Sequence, residues 1–232
     1  IDRLLESQII LKNNFKHNYK ILDIHLPGSF DKSKKVYLNI NNFSDNWHIQ
    51  KQNFFKKKYS KTNFDLIIME NFIPGEYLFD LYRPKNSIFN KSFDNIVFSR
   101  GWRKYIQEIM IDNIPDYDHN YKLFQYHHLV KSIINYIVDY ELNTGIITKN
   151  EAIDFMMNKG FYYRYEAERL IDEIITCPGF FSLEYIGYKE IKDIERIYKK
   201  KKGKKFNRKI FNTELMLNSN MINSELINKL IN

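Results

Sequence analysis

The strongest constraint on the fold is a series of long segments with helical periodicity in the second half of the chain. Apolar residues recur at helical spacing over residues 92–110, 121–142, 149–159, 164–176 and 180–202. This spacing gathers apolar side chains on one face of an α-helix, which can then pack against neighbouring helices. The sequence therefore predicts a mainly α fold with roughly eight or nine helices.

Several helix ends carry capping signals. Thr148 and Glu151 have the spacing of a capping box, in which each side chain bonds to the backbone of the other residue. Gly160 is the predicted left-handed stop of the helix that this box begins. Asn207 and Ser224 are predicted to cap two short helices near the C-terminus.

The first part of the chain carries weaker signals. Residues 1–12 have apolar residues at helical spacing and predict an amphipathic helix. Residues 36–40 alternate in polarity and are rich in β-branched and aromatic side chains, so they predict a strand, and residues 66–68 are a second, shorter strand candidate. Residues 41–63 are polar and rich in Lys and predict a solvated connection with short helix. The fold is thus expected to include a minor β element.

The composition predicts one globular domain. Hydrophobic residues make up 44% of the 232 residues and aromatic residues 16%, which is enough to build a sizeable core. No internal repeat or linker interrupts the chain, so residues 1–232 are expected to form a single domain. The net charge of +8 is weak evidence for an anionic partner, because the excess of Lys, Asn and Ile is typical of an AT-rich genome.

The compartment is only partly indicated by the sequence. A single cysteine, Cys177, cannot form an internal disulfide and favours an intracellular reducing compartment. No apolar run reaches the length of a membrane span. The chain begins within a helix-like pattern and has no initiator Met, so we expect it to be a fragment whose targeting cannot be deduced.

Residues 64–102 contain the arrangement that suggests a functional cleft. An apolar run leads into polar residues and a Pro-Gly turn, which is a way to deliver side chains into a cleft; a buried segment that ends at a turn has the same pattern. Gly101 lies in a predicted helix, where Gly costs about 1 kcal/mol relative to Ala, so we expect it to admit another backbone. The stretch contains three short motifs, Glu70-Asn71, Pro74-Gly75-Glu76 and Arg100-Gly101-Trp102.

These motifs resemble those of the DUF885 family, which is similar to helical zinc peptidases with a gluzincin-like site. In that family a His-Glu pair precedes Pro-Gly-His, and Glu-Gly-Trp follows downstream. The resemblance places Glu70 and Glu76 at the positions of His ligands, Asn71 at the position of the catalytic Glu and Arg100 at that of an acidic group. Trp102 is retained. A further family His corresponds to Asn143.

The resemblance extends over residues 20–230 but corresponds only to the C-terminal part of the family. It implies that a larger N-terminal portion lies outside this chain and is one of its partners. It also implies a helical, peptidase-derived domain whose minor β element borders the former active-site cleft.

The substituted residues do not suit the chemistry of the family. A catalytic zinc needs three protein ligands and a general base close to its bound water. Asn71 cannot accept a proton near neutral pH, and Arg100 is a fixed cation that repels a metal. We therefore predict a catalytically inactive pseudopeptidase, without metal or cofactor, that acts as a structural or interaction subunit of a larger assembly. Arg100 is expected to point into the former cleft and to pair with Glu70 or Glu76.

Two other functions remain open at this point. One is an active zinc metallopeptidase whose ligands are shifted relative to these motifs. The other is a basic subunit that contacts nucleic acid through a cluster of six lysines at a helix C-terminus, although a solvated helix end is the favoured explanation of the cluster. These six possible anion contacts are Lys199, Lys200, Lys201, Lys202, Lys204 and Lys205.

Two further groups are expected to be structural rather than functional. His127 and His128 are adjacent in a predicted helix, so their side chains diverge by about 100° and are not expected to share a ligand. Four acidic residues on one predicted helix are expected to form a solvated face; they are Glu166, Glu168, Asp172 and Glu173.

Overall fold

The computed structural model describes residues 8–13, 22–28, 30–31, 33, 35–40, 46–85, 87–113, 119–221 and 223–231. Over these residues the protein is mainly α-helical with a small sheet, as the sequence predicts. The strands are β1 (Gln8–Asn13), β2 (Leu22–His25) and β3 (Lys35–Ile40). The helices are α1 (Ile49–Lys58), α2 (Lys61–Asn71), α3 (Glu76–Tyr82), α4 (Ile88–Ser92), α5 (Ile96–Asn113), α6 (His119–Asn143), α7 (Lys149–Gly160), α8 (Arg164–Thr176), α9 (Leu183–Lys202), α10 (Arg208–Leu217) and α11 (Asn223–Ile231).

The sheet has the strand order β1-β3-β2, with β1 parallel and β2 antiparallel to β3. The predicted strand at residues 36–40 is confirmed as β3, and Val36 on it is fully buried. The prediction of a helix over residues 1–12 is wrong for residues 8–12, which lie in β1; residues 1–7 lie outside the described part. Short apolar runs fit both the helical and the strand periodicity, and here pairing with β3 favours the strand.

Helix boundaries follow local sequence signals at most of the predicted positions. Helix α8 has the predicted bounds, and the capping box is present, with Glu151 N donating to Thr148 Oγ1 at 3.3 Å. Asn207 caps α10 by accepting a hydrogen bond from Ile210 N. Ser224 lies inside α11 rather than at its cap, because that helix begins one residue earlier.

Two local predictions are wrong. The left-handed residue after α7 is Phe161, with φ of 55°, while Gly160 remains helical. The chain turns there, and the buried Tyr162 ring packs against Gly160. A Cβ atom on Gly160 would collide with that ring, so the glycine makes room for it. Residues 66–68 are not a strand but part of α2, where Leu66 and Glu70 are one helical turn apart and both buried.

The centre of the fold is a close crossing of α5 and α9 at two glycines. A Cβ atom on Gly101 would collide with the backbone of Gly187 and Tyr188, and one on Gly187 would collide with the carbonyl of Val97. The expectation that Gly101 admits another backbone is thus confirmed. Phe98, Trp102 and Tyr105 are buried beside this crossing and belong to the core between α5, α9, α10 and α11.

A second core lies between α6, α7 and α8. Its fully buried side chains include Val138 on α6, Met156 on α7 and Ile171 on α8. None of the helices in the described ranges combines the length and the apolar character that crossing a membrane requires.

We predict that Gly101→Ala lowers the free energy of unfolding by about 3 kcal/mol or more, because the new methyl group meets backbone atoms that cannot rotate away. This loss outweighs the gain in helix propensity of about 1 kcal/mol. The matched control is Gly28→Ala, since a Cβ atom there meets nothing within 4 Å. Urea denaturation measures both variants. A Gly101→Ala protein as stable as the Gly28→Ala protein would contradict the close crossing.

Candidate functional site

A cavity of about 960 Å³ lies between the two cores. It is lined by side chains from α1, α2, α3, α5, α6, α8 and α9, and Ile24 of β2 lies at its edge. Its volume is within the range of small-molecule sites. The structure brings four of the sequence-predicted site residues together on its wall, namely Glu70, Asn71, Glu76 and Arg100.

The Glu70 carboxylate is the most enclosed charge in the cavity. Its Oε1 atom accepts a hydrogen bond from Lys104 Nζ and lies 3.3 Å from His128 Nδ1. Glu70 and Lys104 are 5% and 7% exposed, so this ion pair is buried. His128 Nε2 lies 2.6 Å from Asn63 Oδ1. Residues from α2, α5 and α6 thus meet at one carboxylate.

The electrostatic environment keeps this carboxylate ionised. Burial favours the neutral form of Glu70, but the charge of Lys104 and the hydrogen bond with His128 outweigh burial and hold the pKa of the carboxyl below its ordinary value. Burial lowers the pKa of His128 more than the neighbouring Glu70 raises it. The lowered pKa favours the neutral form of His128, and Lys104 is the cation paired with Glu70.

Glu166 forms a second buried ionic group on the cavity wall. It lies 3.0 Å from Lys58 Nζ and 2.9 Å from Lys131 Nζ. Burial raises the pKa of Glu166, but the two lysines outweigh it and the pKa falls. The prediction that Glu166 is solvated is wrong, because the two lysines reach it from α1 and α6. Its predicted companions Glu168, Asp172 and Glu173 are exposed, as expected.

Arg100 points into the cavity as predicted, but its predicted ion pair is wrong. Its Cζ atom lies 3.8 Å from the centroid of the Phe180 ring. The two carboxylates are taken by other cations of the same helix: Lys104 pairs with Glu70, and Arg103 Nη1 lies 3.4 Å from Glu76 Oε2. Positions three and four residues after Arg100 lie on the same helix face and compete with it.

The remaining predicted site residues form hydrogen bonds within the protein. Asn71 Nδ2 donates to the carbonyl of Ile67 at 2.7 Å. Trp102 Nε1 donates to the carbonyl of Pro74 at 3.0 Å, which fixes the Pro-Gly turn against α5. Asn143 does not line the cavity; its Nδ2 donates to Asp139 Oδ1 at 3.0 Å.

The residues that the sequence resemblance places at ligand positions do not fit a zinc ion. Zinc binds neutral His, thiolate or carboxylate groups that are not engaged by cations. Here Glu70 is paired with Lys104, Glu76 with Arg103, and Arg100 is itself a cation. Over the described ranges, no group of three His, Cys, Asp or Glu side chains is arranged to hold a metal.

The lysine cluster is partly engaged within the protein. Lys199 lies 3.1 Å from Glu195 and 5.0 Å from the centroid of Phe206, and Lys202 lies 5.3 Å from that of Tyr198. The other four lysines are exposed; they are Lys200, Lys201, Lys204 and Lys205. The structure therefore does not present all six charges as one free surface.

Sequence reasoning missed the residues that make the site ionic. Lys104, His128 and Lys131 drew no functional interpretation, although each lies on the cavity wall. One available signal was the spacing of Arg100, Arg103 and Lys104, which places three cations on one face of a predicted helix. No local signal identifies Lys131, because its partner Glu166 lies on another helix.

We predict that Lys104→Met lowers the free energy of unfolding by about 3–5 kcal/mol, because it leaves the Glu70 carboxylate buried without its cation. Exchanging Glu70→Leu as well is expected to restore most of the loss. The matched control is Lys149→Met, which breaks an exposed pair with Asp172 and should cost about 1 kcal/mol or less. Chemical denaturation measures all three variants. Equal losses from the two lysine variants would show that the pair is not buried.

We also predict that stability declines as the pH falls from about 6.5 toward 4. Burial, followed by the nearby Lys131 charge and the adjacent His128, lowers the pKa of His127 to about 4. The unfolded chain binds a proton at His127 in this range and the folded protein does not, so protonation favours unfolding. His127→Gln should flatten the pH dependence of the free energy of unfolding, measured by denaturation at several pH values. An unchanged slope would contradict this assignment.

The chain was compared with known proteins. The model of the family described as "Bacterial protein of unknown function (DUF885)" matches residues 24–221. One similar solved structure is a "putative lipoprotein of unknown function" from Shewanella oneidensis, with 23% identity, a TM-score of 0.83 and coverage of 97% of this chain and 40% of that chain. Another is a "putative lipoprotein" from Colwellia psychrerythraea, with 16% identity, a TM-score of 0.79 and coverage of 97% and 38%.

At these identities the two structures show a shared fold and nothing more. The chain spans about two fifths of the length of each. No curated protein matches it. Because the family model covers most of the sequence, this chain belongs to the DUF885 family.

Proposed function

We propose that this protein is a catalytically inactive relative of zinc peptidases that serves as a structural or interaction subunit of a larger assembly. The observation that carries the proposal is the buried pairing of Glu70 with Lys104. Glu70 stands where the resembled peptidases have a zinc-binding His. An ammonium group held against this carboxylate occupies the volume and supplies the positive charge that a metal would otherwise provide.

The position of the general base supports the same proposal. Hydrolysis of a peptide by a metallopeptidase needs a group that accepts a proton from the attacking water. Asn71 stands at this position, and its amide nitrogen donates to the carbonyl of Ile67 in its own helix. An amide held in this way has no basic group to offer to water.

The retained features are those that shape the fold. Gly75 has no room for a Cβ atom, which would collide with the backbone of Glu70 and Met69. Trp102 ties the same turn to α5 through the carbonyl of Pro74. Both residues hold the cavity wall in place whether or not the cavity catalyses a reaction. Their retention beside a replaced ligand set favours a role for the fold itself.

The proposed interaction role is supported by the share of each similar structure that this chain matches. In the two similar structures, the part that matches this chain accounts for 40% and 38% of the length. The remainder of such a protein is a natural partner for this fold, in the same chain or as another subunit. Several large apolar side chains on the described surface are suited to such contacts, among them Ile88, Phe93 and Leu123.

We predict that the purified full-length protein binds less than about 0.1 equivalent of zinc after dialysis against micromolar zinc, because the ligand positions carry paired carboxylates and a guanidinium. Elemental analysis measures the metal content. In the same preparation, a library of fluorogenic peptides should remain uncleaved with added zinc. Near-stoichiometric zinc together with peptide cleavage that a chelator abolishes would refute the proposal and favour an active metallopeptidase with shifted ligands.

A further inference from the structure

Among the residues that the structure describes, one cation on the cavity wall has no carboxylate within 4 Å. The described part of the chain contributes six Lys and Arg side chains to this wall, and five of them pair with a Glu within 4 Å; Arg100 does not. The five pairs are Lys58–Glu166, Lys131–Glu166, Lys104–Glu70, Arg103–Glu76 and Arg169–Glu173. Arg100 therefore brings to the cavity a positive charge and hydrogen-bond donors that no described carboxylate takes up.

The contact with Phe180 orients the Arg100 guanidinium. Its Cζ atom lies 3.8 Å from the ring centroid, which is the distance of a close cation–π contact. An aromatic face holds the guanidinium without using its N–H groups. These N–H groups form a planar fork that matches the two oxygens of a carboxylate.

The cavity wall also carries aromatic side chains besides its charged groups. Phe124, Phe161, Tyr162 and Phe181 line the same space as Arg100. Aromatic walls beside a few oriented polar groups are typical of small-molecule sites. With a volume of about 960 Å³, the cavity has room for a small ligand that places an apolar body on these walls.

The surrounding charges select the kind of anion. Burial and the neighbouring Arg103 lower the pKa of Arg100, while Glu184 and Glu76 raise it, so both carboxylates act on this guanidinium from nearby. Their negative charges repel a dianion such as phosphate more strongly than a monoanion. A single guanidinium with no described carboxylate within 4 Å is matched by a single carboxylate.

We propose that the cavity binds a small monocarboxylate with an aromatic or aliphatic body, whose carboxylate pairs with Arg100. The ligand body lies against the aromatic wall formed by Phe124, Phe161, Tyr162 and Phe181. The proposal goes beyond the loss of catalysis and does not depend on it, because it concerns binding alone. A cavity that does not bind the monocarboxylate could still be catalytically inactive, and a cavity that binds it could still prove active.

The test compares a neutral and a charged form of one ligand. Isothermal titration calorimetry of the full-length protein measures binding of N-acetyl-L-phenylalanine and of its carboxamide, which differ only in the charged group. The acid is expected to bind at least about tenfold more tightly than the amide, since a charge-assisted pair with Arg100 is lost. Equal affinities, no detectable binding of the acid, or equally tight binding of inorganic phosphate would overturn the proposal.

Two variants then test whether Arg100 is the residue that pairs with the ligand carboxylate. Arg100→Gln is expected to weaken binding of the acid at least about tenfold and to leave the amide unchanged. Arg169→Gln is the matched control, because Arg169 lines the same cavity but pairs with Glu173; the affinity for the acid should stay within about twofold. Circular dichroism checks that both variants fold. Unchanged binding in a folded Arg100→Gln protein would overturn the assignment, and the acid–amide comparison decides the matter if that variant does not fold.

Discussion

The buried ion pair between Glu70 and Lys104 is the interaction on which the rest of the site depends. It joins α2 to α5, and His128 extends the contact to α6. A carboxylate this deeply buried needs a partner, because an unpaired charge in the interior costs several kcal/mol. With Lys104 paired to Glu70 and Arg103 paired to Glu76, Arg100 packs against the Phe180 ring. These pairings determine how charge is distributed around the cavity.

This pairing requires α5 to lie in one position. The crossing at Gly101 and Gly187 brings the backbones of α5 and α9 together, and Trp102 fastens the Pro-Gly turn to the same helix. The three cations next to the glycine crossing, Arg100 before it and Arg103 and Lys104 after it, therefore face the cavity from a rigid helix. The fold positions the ionic group, and the ionic group in turn stabilises the contact between α2 and α5.

The sequence predicts those parts of this structure that depend on local signals. The capping box at Thr148, the bounds of α8 and the close approach at Gly101 follow from neighbouring residues alone. Strand β1 and the helical state of Leu66 do not, because short apolar runs fit both periodicities and tertiary pairing decides between them. The partner of Arg100 could not be predicted either, since three cations on one helix face compete for the carboxylates of Glu70, Glu76 and Glu184.

We propose that the Lys104 ammonium group takes the place of a metal at Glu70. Anomalous diffraction at the zinc edge, from crystals of the full-length protein grown with excess zinc, tests it most directly. We expect no anomalous peak within about 3 Å of the Glu70 carboxylate oxygens, and Lys104 Nζ in contact with that carboxylate. A zinc peak bound by Glu70, with Lys104 displaced from it, would contradict this proposal.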